Sequence, residues 1–158
     1  MGVASSGKTT IGTKLAERLG VPYADADDFH PPANVAKMSA GTPLNDEDRR
    51  PWLDAIAAWL TAREREGGGV VSSSALRRRY RDRLRQASPD VFFLHLDGSE
   101  ELIAARMEKR KGHFMPRSLL RSQFEALERL EPDEHGAAID ISGTPEENTD
   151  RAVAAVPH

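Results

Sequence analysis

The chain contains no cysteine, which excludes disulfides and any zinc or redox site built on thiolates. No apolar run approaches the roughly 20 residues needed to span a bilayer. Glycine, serine and lysine arrive at once at the start, so the pattern of a signal peptide is missing too. Neither sign of charge is in large excess; the net charge of −3 argues against a general attraction to nucleic acid or to anionic membrane. There is no internal repeat and no low-complexity tail. His30 and His113 have no metal-ligand spacing between them or with other histidines, so a zinc role is not expected. What remains, at 158 residues with 39% hydrophobic and 30% charged, is one domain spanning 1–158, of enzyme size, with the cytoplasm as its expected location.

Apolar spacing divides the chain into alternating elements. Ile11, Leu15 and Leu19 form a helical stripe stopped by Gly20. Residues 21–25 read as a short strand, 29–43 as a loop rich in proline, and 46–66 as a helix with Leu53, Ile56, Ala57 and Leu60 on one face. Trp52 and Trp59, seven apart on that helix, read as core. Three glycines, 67–69, break the chain before a strand at Val70. Helix is expected over 76–87, 99–111, 118–129 and 145–156, and strand over 91–96 and 137–141; the near-continuous apolar run 91–96 marks a strand buried on both faces. Such alternation predicts an α/β fold with a largely parallel sheet.

Gly2-Val3-Ala4-Ser5-Ser6-Gly7-Lys8-Thr9 satisfies G-x-x-x-x-G-K-[ST] at every fixed position. Glycines let backbone N–H groups turn in around a β-phosphate, a lysine neutralises the β and γ groups, and the Ser/Thr hydroxyl serves Mg²⁺. The helix that follows, with Thr10 in its first turn, adds a positive N-terminal end. The pattern calls for a nucleoside triphosphate such as ATP. A hydrophobic strand should feed this loop, yet only Met1 stands before Gly2. The first strand is therefore expected to be truncated through a start later than that of relatives, unless another segment fills its place.

Asp25-Ala26-Asp27-Asp28 follows the second extended segment. Residues 25 and 27 of an extended chain point the same way, so one carboxylate can support a metal's water shell while the other takes a proton from an attacking hydroxyl. A solvated acidic turn is the alternative. Arg77, Arg78, Arg79, Arg81, Arg83 and Arg85 place six arginines in nine residues. On a helix they spread around the axis, so most are expected in solvent, with one or two reaching an anionic substrate. Arg106, Lys109, Arg110 and Lys111 precede Gly112, a pattern that suits a lid over phosphates, about 106–124, although dipole-favoured cations at a helix end would look alike.

The runs Asp25-Ala26-Asp27-Asp28-Phe29-His30-Pro31, Gly41-Thr42-Pro43-Leu44-Asn45-Asp46 and Asp48-Arg49-Arg50-Pro51-Trp52-Leu53 closely resemble gluconokinases. So do Ser73-Ser74-Ala75-Leu76, Tyr80-Arg81-Asp82, Lys111-Gly112-His113-Phe114-Met115 and Gln123-Phe124-Glu125. The resemblance covers nearly the whole chain. It implies a three-layer P-loop sandwich with a helical lid, related to shikimate kinases, that turns D-gluconate and ATP into 6-phosphogluconate and ADP, commonly as a homodimer. It implies Lys8 and Thr9 as phosphate and Mg²⁺ contacts, Asp25 as metal support and Asp27 as the base. His30, Arg49, Ser74, Arg81 and Gln123 would surround the sugar acid, and Arg106 and Arg110 would be lid arginines. Relatives usually carry Gly at Ser5 and often Lys at Arg77. A kinase for another small acid such as shikimate, and a nucleotide-binding protein without catalysis, are the alternative readings.

Overall fold

The computed structural model describes residues 1–109 and 117–157. Helix α1 (Lys8–Leu19) springs from the phosphate loop, and β1 (Tyr23–Asp25) follows, then a 3-10 turn (Ala26–Phe29). Next come α2 (Pro32–Ser39), α3 (Asp46–Arg65), β2 (Val70–Ser72), α4 (Arg78–Ala87), β3 (Phe93–Asp97), α5 (Glu100–Lys109), α6 (Arg117–Ala126), β4 (Gly136–Asp140) and α7 (Pro145–Ala155). The long helices begin where side chains can satisfy their orphan amides. At α3, Asn45 accepts from the Asp48 N–H while Asp48 accepts from the Asn45 N–H. At α7, Thr144 and Glu147 do the same, with Pro145 pre-set for the first turn.

One expectation fails locally. The stretch 29–43 contains α2, because Pro32 sits at the first helical position, where its fixed φ starts a helix and its missing N–H costs nothing. Asn34, buried inside this helix, donates to the Asp48 carbonyl at 2.8 Å and so fastens α2 to α3.

The strands form two parallel pairs. β1 pairs with β2, Tyr23 opposite Val70 and Asp25 opposite Ser72. β3 pairs with β4, Phe93 opposite Gly136 and Asp97 opposite Asp140. Met1 and Gly2 lie between the pairs. The Met1 amine donates to the Leu94 carbonyl at 2.6 Å, the Leu96 N–H to the Met1 carbonyl at 2.9 Å, and the Gly2 N–H to the Ser74 carbonyl at 3.2 Å. Of the strand expected ahead of the phosphate loop, these two residues hold the position. Apolar side chains cover both faces. Ile11, Leu15, Leu96, Ile103 and Ile141 gather in one cluster, Trp52, Leu53, Ile56, Leu84 and Phe93 in another. The strands therefore lie between two helical layers, the α/β architecture that the alternation of elements predicts.

One buried ion pair crosses this framework. Arg81 and Glu134 both have side chains 0% exposed, with Nε to Oε1 at 2.7 Å and Nη2 to Oε2 at 3.0 Å. Arg81 also donates to the Ala75 carbonyl at 2.8 Å. Burial alone would raise the Glu134 pKa; the Arg81 hydrogen bond, the Glu131 amide and the nearby positive charge outweigh it and hold the carboxyl below its ordinary value. Arg81→Ala strands a buried carboxylate and should cost about 3–5 kcal/mol in urea unfolding, whereas Arg81→Met with Glu134→Leu should recover most of it. Because the Glu134 pKa is depressed, the pair's contribution is complete above the ordinary glutamate range and should fade as pH falls through the folded-state value, read as a steeper loss of Tm in acid than in the double variant.

Candidate active site

The phosphate loop closes on itself. Gly7 caps α1 at φ 93°, a left-handed conformation that glycine takes without strain, and its carbonyl accepts the Ile11 N–H at 2.8 Å. Ser5 also stands left-handed, at φ 61°, so the departure from glycine noted there falls on a position that favours glycine. Lys8 Nζ folds back to the carbonyls of Gly2 and Val3, 2.9 Å each. Burial pulls the Lys8 pKa down to about 8, against the opposing charges of Asp27 and Asp25. The start of α1 is tied to the strands through Ser72, whose Oγ donates to the Lys8 carbonyl at 3.0 Å and accepts from the Tyr23 hydroxyl at 2.9 Å. Gly12 makes this closeness possible: a Cβ there would lie 2.7 Å from Ser72 Oγ and 2.9 Å from the Tyr23 ring.

Two acids stand where β1 ends. Asp25 caps the 3-10 turn, its Oδ1 accepting the Asp27 N–H at 3.0 Å. The Trp52 indole donates to the Ala26 carbonyl at 2.6 Å and pins the same turn to α3. Partial desolvation first, then the Asp25 carboxylate, raise the Asp27 pKa, against His30 and Lys8. His30 stacks on Trp52 with ring centroids 4.5 Å apart and 8° between planes. Burial lowers its pKa, against the Asp27 carboxylate, and so favours the neutral ring.

Beside these groups opens a cavity of about 270 Å³, with Arg49, Arg77, Arg79, Tyr80, Trp52 and Ser74 in its lining. Two of its cations, Arg49 and Arg79, share one acid. Asp46 accepts from Arg79 Nε at 2.7 Å and from the Tyr80 hydroxyl at 2.9 Å, while Arg49 donates to that hydroxyl at 3.2 Å. Both guanidiniums also lie over the Tyr80 ring, at 5.5 and 5.1 Å. With three arginines against one carboxylate, the cavity suits an anion carrying hydroxyl groups.

The structure brings together Lys8, Asp25 and Asp27, and sets His30, Arg49 and Ser74 on or beside the cavity. Three residues fall elsewhere. Arg81 is spent on Glu134 and on backbone carbonyls in the core, with no donor turned to a ligand. Arg106 donates to the Ile141 and Gly143 carbonyls before α7, satisfying chain ends there instead of reaching over the loop. Gln123 touches the phosphate loop, its Oε1 accepting the Ala4 N–H at 2.7 Å. Thr9 and Thr10 are exposed on the first turn of α1. Arg110, and 110–116 of the expected lid, lie outside the described residues. Tyr80, Arg79 and Asp46, present in the sequence only as members of longer runs, carry no site role that the sequence alone assigns. Arg77, the residue capping α4, makes no side-chain cap bond, so no capping signal fixes the helix register or separates one arginine of the run from the next.

Among the described residues no helix is long and apolar enough to cross a membrane. A family model described as shikimate kinase matches residues 4–149. The "Thermosensitive gluconokinase" of Escherichia coli (strain K12) is 53% identical over 145 residues, which cover 90% of this chain and 77% of that protein. The "Gluconokinase" of Gluconobacter oxydans is 48% identical over 144 residues, 90% of this chain and 80% of that one. The crystal structure of a gluconokinase from Sinorhizobium meliloti 1021 superposes with a TM-score of 0.87 at 46% identity, covering 98% of this chain and 87% of the other. A phosphate loop, an acid pair and an arginine-lined cavity thus sit in a chain that, by these matches, belongs to the gluconokinase family within the wider shikimate kinase family.

Proposed function

We propose that the chain transfers the γ-phosphoryl group of ATP to a hydroxyl of D-gluconate, giving 6-phospho-D-gluconate and ADP. The observation that carries this reading is the placing of an anion-suited, hydroxyl-lined cavity beside a phosphate loop and a carboxylate whose pKa is raised. Phosphoryl transfer asks mainly for positioning and charge neutralisation. The amides of residues 2–9 and Lys8 serve the β- and γ-phosphates. Asp27 takes the proton of the attacking hydroxyl, its raised pKa making it a better base than an ordinary aspartate. Arg49, with Arg77 and Arg79, meets the gluconate carboxylate, and His30 and Ser74 serve its hydroxyls. In this reading 1–158 acts as one kinase domain, and its homodimeric assembly and cytoplasmic location rest on the family resemblance.

Mg²⁺ fits the residues present. Thr9 offers an exposed hydroxyl, Asp25 a carboxylate engaged by one amide at Oδ1, and no cluster of three acidic or histidine ligands occurs among the described residues. That set suits a cation that keeps most of its waters and completes its shell from phosphates. When bound, it would neutralise charge on the transferring group.

A phosphorylation panel of gluconate, shikimate and glucose with ATP and Mg²⁺, read by mass shift, tests the assignment; gluconate should react fastest, and a preference for shikimate would replace it. Asp27→Asn should lower kcat by about 10² to 10⁴ with little change in nucleotide affinity. Arg49→Ala should raise the KM for gluconate about 10- to 100-fold, the loss of one charge-assisted contact, with a much smaller effect on ATP. Phosphates around Lys8 should lift its pKa from about 8, so ATP binding at pH 8.5 should take up protons, while at pH 6 the lysine is charged in both states and uptake at this group should vanish. Calorimetry in buffers of different ionisation enthalpy reads this directly.

A further inference from the structure

Asn34 is a polar side chain only 3% exposed, on a helix that lines neither the phosphate loop nor the anion cavity. Its Nδ2 makes two contacts, 2.8 Å to the Asp48 carbonyl and 3.3 Å to His30 Nδ1. The first decides the second. A backbone carbonyl only accepts, so the group facing it is the amide NH2 and not the amide oxygen. One hydrogen of that NH2 goes to Asp48 and the other toward His30. His30 Nδ1 therefore meets a donor and presents its lone pair, which in a neutral imidazole puts the proton on Nε2.

Two further features hold this arrangement. The ring lies parallel to Trp52, so a half-turn about Cβ–Cγ would keep the stack but set a carbon in place of Nδ1 beside Asn34. Protonating Nδ1 would set an N–H against the Asn34 NH2, two donors with no acceptor between them. The charges around the ring are few. Asp27 on the 3-10 turn favours its cation and Arg49 on α3 opposes it, while Lys37 and Asp48, paired at 2.8 Å, stand beside Asn34. Among the described residues His30 makes no other hydrogen bond, and none joins it to Asp27, so Nε2–H is left for a ligand.

We propose that Asn34 is a positioning residue, which selects the orientation and the Nε2–H form of His30 so that the ring offers the substrate a donor. The proposal rests on the reading of the site as a sugar-acid kinase, in which His30 meets a hydroxyl oxygen of gluconate. Asp27 accepts and His30 donates, the complement of a hydroxyl group, which does both. A ring protonated at Nδ1 would present a second acceptor and leave the hydroxyl oxygen unserved.

Nitrogen NMR of the histidine rings in the free protein is the first test, with His30→Gln identifying the signals. Nδ1 should resonate as the unprotonated nitrogen and Nε2 as the protonated one at pH 8; the reverse, or an even mixture, would overturn the proposal. No substrate is present in this measurement, so its failure is separate from any failure of the gluconate reading. Asn34→Asp then exchanges the donor for an acceptor and should place a proton on Nδ1. The new carboxylate raises the His30 pKa, and Nε2 keeps its proton only below that value. Between pH 6 and pH 9 the gluconate KM of this variant should rise roughly 3- to 10-fold, the loss of one hydrogen bond, with a much smaller change for ATP. In the unaltered chain Nε2 is protonated in both states, so this step should be absent. Titration of Asp27 and Lys8 is common to every variant. The pair His30→Gln with Asn34→Asp carries an amide donor that does not titrate, and should lose the step as well. A step of equal size in the unaltered chain, or one that survives in the pair, would leave Asn34 only the task of fastening α2 to α3, and the proposal fails. If Asn34→Asp does not fold, the spectrum of the unaltered chain decides alone.

Discussion

The contact on which the substrate side of the molecule depends is the ion pair of Arg81 and Glu134, both out of water. Desolvating two charges is expensive, and the expense is met only where every donor and acceptor finds a partner. Arg81 meets that condition by reaching Ala75, and Glu134 by accepting the Glu131 amide as well. Ala75 stands at φ 44°, a conformation that a non-glycine residue holds only under external constraint. The guanidinium's hydrogen bond to the Ala75 carbonyl is one such constraint. Ser74, Arg77 and Tyr80 lie on either side of Ala75 along the chain, so the shape of the anion cavity is inherited from a charge pair that never touches its contents.

At the reacting end the forces run the other way. Burial pulls Lys8 and Asp27 toward neutrality, while each favours the ionised form of the other. Neither influence wins outright: the lysine sits near 8 and the aspartate above its usual range. The free site is thus held electrostatically unfinished. Lys8 spends its donors on the loop's own carbonyls, and Gln123 spends its oxygen on the Ala4 amide. A polyphosphate entering the loop would exchange these internal bonds for its own oxygens, so the lysine and the Ala4 amide keep partners in both states.

Alternation of elements, the phosphate loop and the acids beside it were legible in the sequence because each is written locally, in a period of two or four or in a fixed spacing. What escaped was written across the fold. Nothing near Arg81 announces that Glu134, over fifty positions away, will bury with it. The same holds for Arg106, whose partners are backbone carbonyls with no side-chain signature. Helix α2 was missed for a different reason: two adjacent prolines read as a break, although the second is a helix-start residue. Tyr80 was visible as a family motif residue, but its part in holding Arg49 and Asp46 depends on the facing of two helices, α3 and α4, that no single-segment pattern encodes.

Gly12 changes how the molecule can be hardened against heat. Replacing glycine by alanine inside a helix ordinarily gains about 0.5–1 kcal/mol, because the unfolded chain loses freedom and the helix loses nothing. Here the added methyl would meet the Ser72 hydroxyl and the Tyr23 ring well inside contact distance. Either α1 lifts from the sheet, carrying the phosphate loop with it, or the hydrogen-bonded link from Tyr23 through Ser72 to Lys8 gives way. A substitution that stabilises most helices is inverted in sign at this position, so consensus rules for thermostability cannot be applied to α1 without excepting the residue that lets it lie so close.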